Sequence, residues 1–206
     1  MKLTQLPIFR MYHLTIDSSQ RDTFVEAGVH NLLTSHQSEP GTFAMYATHL
    51  DKTGTDNYVF ELYQNESAYQ IHAASPQFKN YGQVAKKVVQ EKDFQELYPQ
   101  YLQTNRQELI VNGKNDYSLR LTTFDLTEKT ADTFKQEIYS AIKSQDVTYY
   151  LATLDETKTR WLSLEFMNCI DNKEISQLIE SAASNIQTKE LVVDTLVSQA
   201  NIVYEK

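Results

Sequence analysis

The sequence predicts an α+β protein made of two tandem halves, each in the β-α-β-β-α-β order of a ferredoxin-like fold. Alternating apolar runs and stretches at helical spacing follow one another in that order twice along the chain. Short strings also recur in register: Asp22-Thr23-Phe24 returns as Asp132-Thr133-Phe134, Leu50-Asp51-x-Thr53-x-Thr55 as Leu154-Asp155-x-Thr157-x-Thr159, and Glu61 as Glu165. A period of about one domain implies duplication rather than a solenoid. The length of 206 residues suits two such units, divided as 1–113 and 114–206 around the polar linker Asn112-Gly113-Lys114-Asn115-Asp116.

The first half opens with a strand over 8–16. Ile8, Tyr12, Leu14 and Ile16 share one face and Phe9, Met11 and His13 the other, as in a strand covered on both sides. Asp17-Ser18-Ser19 supplies a helix N-cap, and Phe24, Val25, Gly28, Val29, Leu32 and Leu33 follow as one apolar stripe. Pro40-Gly41 breaks the chain, because proline fixes φ and glycine admits positive φ. A strand over 43–49 and a turn over 51–56 lead to a second strand. There Tyr58, Phe60 and Leu62 oppose Val59, Glu61 and Tyr63. Asn65-Glu66-Ser67 opens a helix that Ser75-Pro76 interrupts, and a further helix runs over 79–89. The polar and aromatic segment 91–103 reads as a short helix or a lid, and 108–111 as the closing strand.

The second half starts with a strand over 117–124 and a helix striped by Phe134, Ile138, Ala141 and Ile142. Strands over 147–154 and 161–167 flank another polar hairpin. Ile175, Leu178, Ile179, Ala182, Ala183 and Ile186 mark the clearest amphipathic helix, and 200–204 reads as the last strand.

A composition of 41% hydrophobic and 22% charged residues requires a packed core, and a net charge of -8 argues against a nucleic-acid partner. Cys169 is the only cysteine, which excludes an internal disulfide and thiolate metal sites; with no basic neighbour it is not a reactive thiolate. No two histidines stand at the i, i+4 spacing of a helical metal site. No apolar run approaches the roughly 18–20 residues of a membrane span, and 1–10 lacks the apolar core of a signal peptide. A cytoplasmic protein without membrane or nucleic-acid partners is expected.

Three features in order and spacing carry a resemblance: Glu39-Pro40-Gly41 after the first helix, Glu61 late in the third element, and the helix 68–72 ending in His72 before Ser75-Pro76-Gln77-Phe78. Together they resemble the antibiotic biosynthesis monooxygenase family, whose small chains pair sheet to sheet as dimeric α+β barrels. The resemblance implies that the two halves pack sheet-to-sheet as an intrachain dimeric α+β barrel, a pseudo-dimer that leaves further homo-oligomerisation open. It also implies a pocket between helices and sheet, with Arg10, Tyr12, His13, Tyr46, Tyr63, His72 and Phe78 as its candidates. His72, at the family's helix-histidine position, is the implied catalytic base. A neutral imidazole there accepts a substrate hydroxyl proton and leaves an electron-rich anion that reduces O2 without a cofactor, flavin or metal. Tyr63, Tyr46 and Arg10 are the orienting groups, with His13 and Phe78 as further substrate-binding candidates.

The implied substrate is a small aromatic or quinol-type molecule. Glu61 and Glu165, present in both halves, read as structural carboxylates, and Trp161 as packing. The second half has Ser144-Gln145-Asp146 in place of Glu-Pro-Gly and no histidine, so the site is expected in the first half. Gln77 stands where many members carry a second histidine. The heme-degrading branch's asparagine, tryptophan and histidine positions fall near Arg10, Tyr63 and Gly82 and all depart. The alternative reading is a non-enzymatic protein of the same fold that binds a small molecule, or heme through His72 or His13.

Overall fold

The computed structural model describes residues 1–167 and 173–206; Cys169 lies outside the described residues. The first half contains β1 (Ile8–Ile16), α1 (Arg21–Ser38), β2 (Thr42–His49), β3 (Asp56–Tyr63), α2 (Glu66–Ala74), α3 (Pro76–Val88), β4 (Val89–Gln103) and β5 (Leu109–Asn112). The second contains β6 (Ser118–Asp125), α4 (Glu128–Ile142), β7 (Tyr149–Thr153), β8 (Arg160–Met167), α5 (Lys173–Ala182), β9 (Ser184–Ser198) and β10 (Val203–Glu205). None of the helices is long and apolar enough to cross a membrane among the described residues.

Eight strands close into one antiparallel barrel in the order β1-β3-β2-β9-β6-β8-β7-β4, with β4 returning to β1. Closure removes the free edges that an open sheet would expose. The two fifteen-residue strands make it possible. β4 pairs with β1 from Val89 to Leu97, then crosses to the other half and pairs with β7 from Tyr98 to Gln103. Likewise β9 pairs first with β6 and then, from Val192 to Ser198, with β2. Each half therefore completes the other's sheet. Inside the barrel Phe9, Tyr46, Phe60, Leu62, Leu102, Tyr150, Leu164 and Leu196 form one apolar cluster. The Tyr46 and Tyr150 hydroxyls meet there at 2.5 Å, so each buried O–H has a partner from the opposite half.

The strings that recur in the sequence occupy matching places. Arg10 stands between Glu61 and Glu96 on neighbouring strands, and Arg120 between Glu165 and Glu190. Asp51 accepts hydrogen bonds from the backbone N–H groups of Thr55 and Asp56 at 2.8 Å. Asp155 accepts from the Thr157 hydroxyl at 2.8 Å and the Thr159 N–H at 3.3 Å, closing the equivalent turn.

Several expectations are corrected. The segment 91–103 is neither helix nor lid but most of β4. Its first part looks polar because it is exposed, and it becomes buried from Leu97 onward, where it enters between the halves. The strand expected at 108–111 is β5, which pairs with β9 outside the barrel circuit. The helix read through Ile186 ends at Ala182. Asn185 takes a left-handed φ of 52°, and Ile186 is 39% exposed within β9. Its apolar spacing fits a helix, but pairing with β6 prevails over that local pattern. β9 is thus the long final strand, and the strand read at 200–204 is the short β10. On α1 the buried side includes Ala27, Asn31 and Ser35, so its inward face is partly polar.

Gly41 is needed for close approach rather than for a special φ, since Gly54 and Gly113 are the glycines with positive φ. A Cβ on Gly41 would lie 2.5 Å from the Cβ of Ala68, where β2 begins against α2. Gly41→Val is therefore expected to destabilise the fold by about 2 kcal/mol through overpacking, measured as a lower urea midpoint with an unchanged slope.

The helix-covered faces of the two halves differ. In the second, Phe124, Phe134, Ile138, Trp161, Ile175 and Ile179 belong to one dense cluster. In the first, the corresponding cluster is the small group Leu14, Ile16, Phe24, Val59 and Val88. Space remains beside it.

Candidate functional site

That space is a cavity of about 630 Å³ between α3 and the outer face of β1, β3 and β4. This is within the usual range for small-molecule pockets. Ser75 ends α2 and caps α3, its Oγ accepting from the Phe78 N–H at 3.3 Å, and Pro76 fits the first helical turn. The break redirects α3 across the sheet and places Phe78, Tyr81 and Gly82 over the cavity. A Cβ on Gly82 would meet no atom within 4 Å, so the missing side chain leaves open volume.

Tyr12, Leu14, Val59 and Glu61 form the sheet side of the cavity. Glu61 is 5% exposed. Burial pushes its carboxyl above the usual range, an effect that His72, Tyr63, Arg10 and Lys92 offset only in part. Burial likewise raises the Tyr12 and Tyr81 phenols, with the Glu61 charge adding to it. These phenols stay protonated at neutral pH and are hydrogen-bond donors. The cavity thus sets one proton-seeking carboxylate beside two phenols.

His72 is 0% exposed and lies behind the cavity rather than on its wall. Its Nδ1 is 2.9 Å from Glu39 Oε2 and 3.2 Å from the Ser35 hydroxyl. Glu39 also accepts from the Thr42 hydroxyl at 2.8 Å and from the Gln77 amide at 2.6 Å. Burial opposes ionisation of Glu39, but the hydrogen bonds from His72, Thr42 and Ser35 outweigh it and hold the carboxyl below its usual range. This network ties the end of α1 to α2 and α3. The Phe78 ring packs 4.7 Å from the imidazole and separates it from the cavity it lines.

The predicted site residues divide into groups. Phe78 lines the cavity. Tyr63 is buried behind it, 5.4 Å from the His72 ring; burial, then the nearby Glu61 charge, raises its phenol well above the usual value. Arg10 lies beside the cavity with its guanidinium 3.7 Å over the Tyr69 ring. Tyr46 and His13 do not belong to this site, because their strands turn them to the barrel's inner face. His13 Nε2 is 2.5 Å from Asp56 Oδ1 and its ring stacks on Tyr58 at 4.4 Å.

Glu61, Tyr81 and Gly82 line the cavity and were not among the predicted site residues. For Glu61 the available signal was its shared face with Val59, opposite Tyr12 on β1. Of the two histidines named for heme, His72 has its Nε2 enclosed, whereas His13 is 34% exposed with its Nε2 engaged by Asp56. Among the described residues, no group of three or more His, Cys, Asp or Glu side chains is placed to hold a metal ion.

Residues 7–84 match the antibiotic biosynthesis monooxygenase family. The chain is similar in structure to a candidate monooxygenase of Lactobacillus acidophilus NCFM, with TM-score 0.82 and 21% identity over 97% of this chain and 99% of the other. A candidate monooxygenase of Fusobacterium nucleatum superposes with TM-score 0.83 and 16% identity, covering 99% of this chain and 100% of that one. An anthrone oxidase-like protein aligns with TM-score 0.51 and 8% identity over 95% of this chain and 94% of its own. No curated protein matches. At these identities the structural likeness speaks to the fold, and the family match speaks to the first half. Residues 7–84 are a domain of the antibiotic biosynthesis monooxygenase family, in a chain folded as a pseudo-dimeric α+β barrel.

Proposed function

We propose that the cavity under α3 is the substrate site of a cofactor-independent monooxygenase acting on a small aromatic or quinol-type molecule. The observation that carries this reading is the buried Glu61 carboxylate, raised in proton affinity, on the wall of an open cavity. Glu61 accepts a proton from an activated methylene or phenolic hydroxyl of the substrate. Tyr12 and Tyr81 donate hydrogen bonds to the resulting oxyanion. The anion passes an electron to O2 and the two radicals combine. For a methylene substrate the reaction balances with the methylene oxidised to a ketone and O2 fully reduced, one oxygen atom entering the carbonyl and the other leaving as water with both methylene hydrogens. Family membership and the anthrone oxidase-like fold neighbour support an aromatic substrate.

In this reading His72 is a positioning residue that fixes Phe78 and the α2–α3 junction, and the base is Glu61. The division into a site-bearing part, 1–113, and a supporting part, 114–206, belongs to the same proposal.

The test is oxygen uptake with a panel of hydroquinones and anthrones, with no flavin or metal added. Gly82→Leu is expected to fill the cavity and lower turnover at least tenfold. Its melting temperature should match or exceed wild type, since glycine within a helix costs about 1 kcal/mol relative to good helix formers. Undiminished turnover in that variant would place the site elsewhere. A folded protein that binds these aromatics but consumes no oxygen would favour the non-enzymatic alternative.

A further inference from the structure

The cavity is chemically two-ended. Toward one end is Glu61, the only carboxylate on its wall among the described residues; toward the other, where α3 passes into β4, are Lys86 and Lys92, with Lys79 on the wall seven residues before Lys86. All three lysines are exposed. None makes an ion pair among the described residues. The Lys92 ammonium is held inward, 4.9 Å from the Tyr12 ring centre. Three unpaired cations around one opening are unexpected in a chain of net charge -8.

Strand register separates the two ends. Glu61 is level with Arg10 of β1 and Lys92 with Leu14, four residues further along. At about 3.3 Å per residue the backbone positions are roughly 13 Å apart along the strand, and the Lys92 side chain, reaching back over Tyr12, brings its ammonium near enough to act on Glu61. A neutral hydroquinone would use the Glu61 end and leave the lysines in water.

Resting on the reading above, we propose that the natural substrate is an aromatic acid. Its carboxylate meets the lysine rim, and its reacting hydroxyl or methylene points to Glu61. The arrangement orients the molecule as well as attracting it. An acid group placed inward would meet the Glu61 charge in a dehydrated setting, whereas at the rim it meets the Lys86 and Lys92 ammonium groups.

The experiment compares a matched pair of probes, 1,4-dihydroxynaphthalene and 1,4-dihydroxy-2-naphthoate. Their affinities for the full chain are measured anaerobically by titration calorimetry, and their oxygen uptake separately. The acid is expected to bind about tenfold tighter, the combined effect of two exposed ion pairs. That preference should shrink as salt rises from about 20 to about 500 mM, because exposed charges are screened over that range. It should fall to near parity in Lys86→Gln/Lys92→Gln, while the neutral probe's affinity changes less than about twofold.

Equal affinities for the pair, a preference that the lysine changes leave intact, or failure of both probes to bind would overturn the proposal. The binding arm needs no turnover. A salt-sensitive preference for the acid without oxygen uptake would sustain this inference and defeat the oxygenase reading. Turnover of both probes with no preference would do the reverse.

Discussion

Glu61→Gln is expected to lower kcat for oxygen consumption by about 10²- to 10⁴-fold, the usual contribution of a positioned base, while leaving the protein at least as heat-stable as wild type. The two halves of this expectation have one cause. Burial raises the Glu61 pKa in the folded protein, so between its unfolded and folded values the native state holds the extra proton. Its stabilising contribution is complete below the ordinary carboxylate pKa and is lost as pH rises through the folded value. At neutral pH the charged form therefore weighs against the fold, and glutamine, near in shape and uncharged, relieves it. The same shift predicts that wild-type kcat rises with pH across a midpoint above the ordinary carboxylate range. Oxygen-electrode rates over pH, together with thermal melts of both proteins, check the pair. A Glu61→Gln enzyme with intact turnover would show that another group takes the proton.

His72→Ala is expected to destabilise the protein by about 3 kcal/mol, because it leaves the buried Glu39 carboxylate without its imidazole partner. Glu39 behaves oppositely to Glu61. Its pKa is lowered in the fold, so its contribution is present above the ordinary carboxylate value and is lost as pH falls through the folded one. Wild-type stability should accordingly decline in acid, and the decline should be shallower in His72→Ala. A double-mutant cycle with Glu39→Gln is expected to give a coupling above about 1 kcal/mol, since the side chains are in direct contact at 2.9 Å. Strict additivity would mean that the two hold the helices independently. If His72 itself took the substrate proton, His72→Ala would abolish the rising limb of the kcat profile. As a positioning residue it changes KM and kcat and keeps that limb, with the midpoint moved upward because the imidazole no longer offsets the raised Glu61 pKa.

Much of the path from β1 to α3 was legible because it is written in short-range patterns. The strand over 8–16 matches β1 at both ends, and the Ser75-Pro76 break falls where α2 gives way to α3. Alternation correctly separated Val59, Glu61 and Tyr63 from Tyr58, Phe60 and Leu62. These features depend on backbone geometry and side-chain periodicity within a few residues. His72 was conspicuous for the same local reason, standing just before a helix break. Its burial and its hold on Glu39 involve a partner 33 positions away.

Long-range packing settled the rest. Alternation groups His13 with Phe9 and Met11 but cannot say whether that face meets helices or the barrel interior. Residues 91–103 carry charge on an uncovered strand, and only their pairing with β1 and then β7 makes them β4. The cavity exists because Gly82 on α3 leaves a gap over Glu61, from a strand some twenty positions earlier. Local pattern specifies how each segment folds and which residues share a face. What covers that face, and so whether a carboxylate is a surface charge or a buried base, depends on which distant segments pack there.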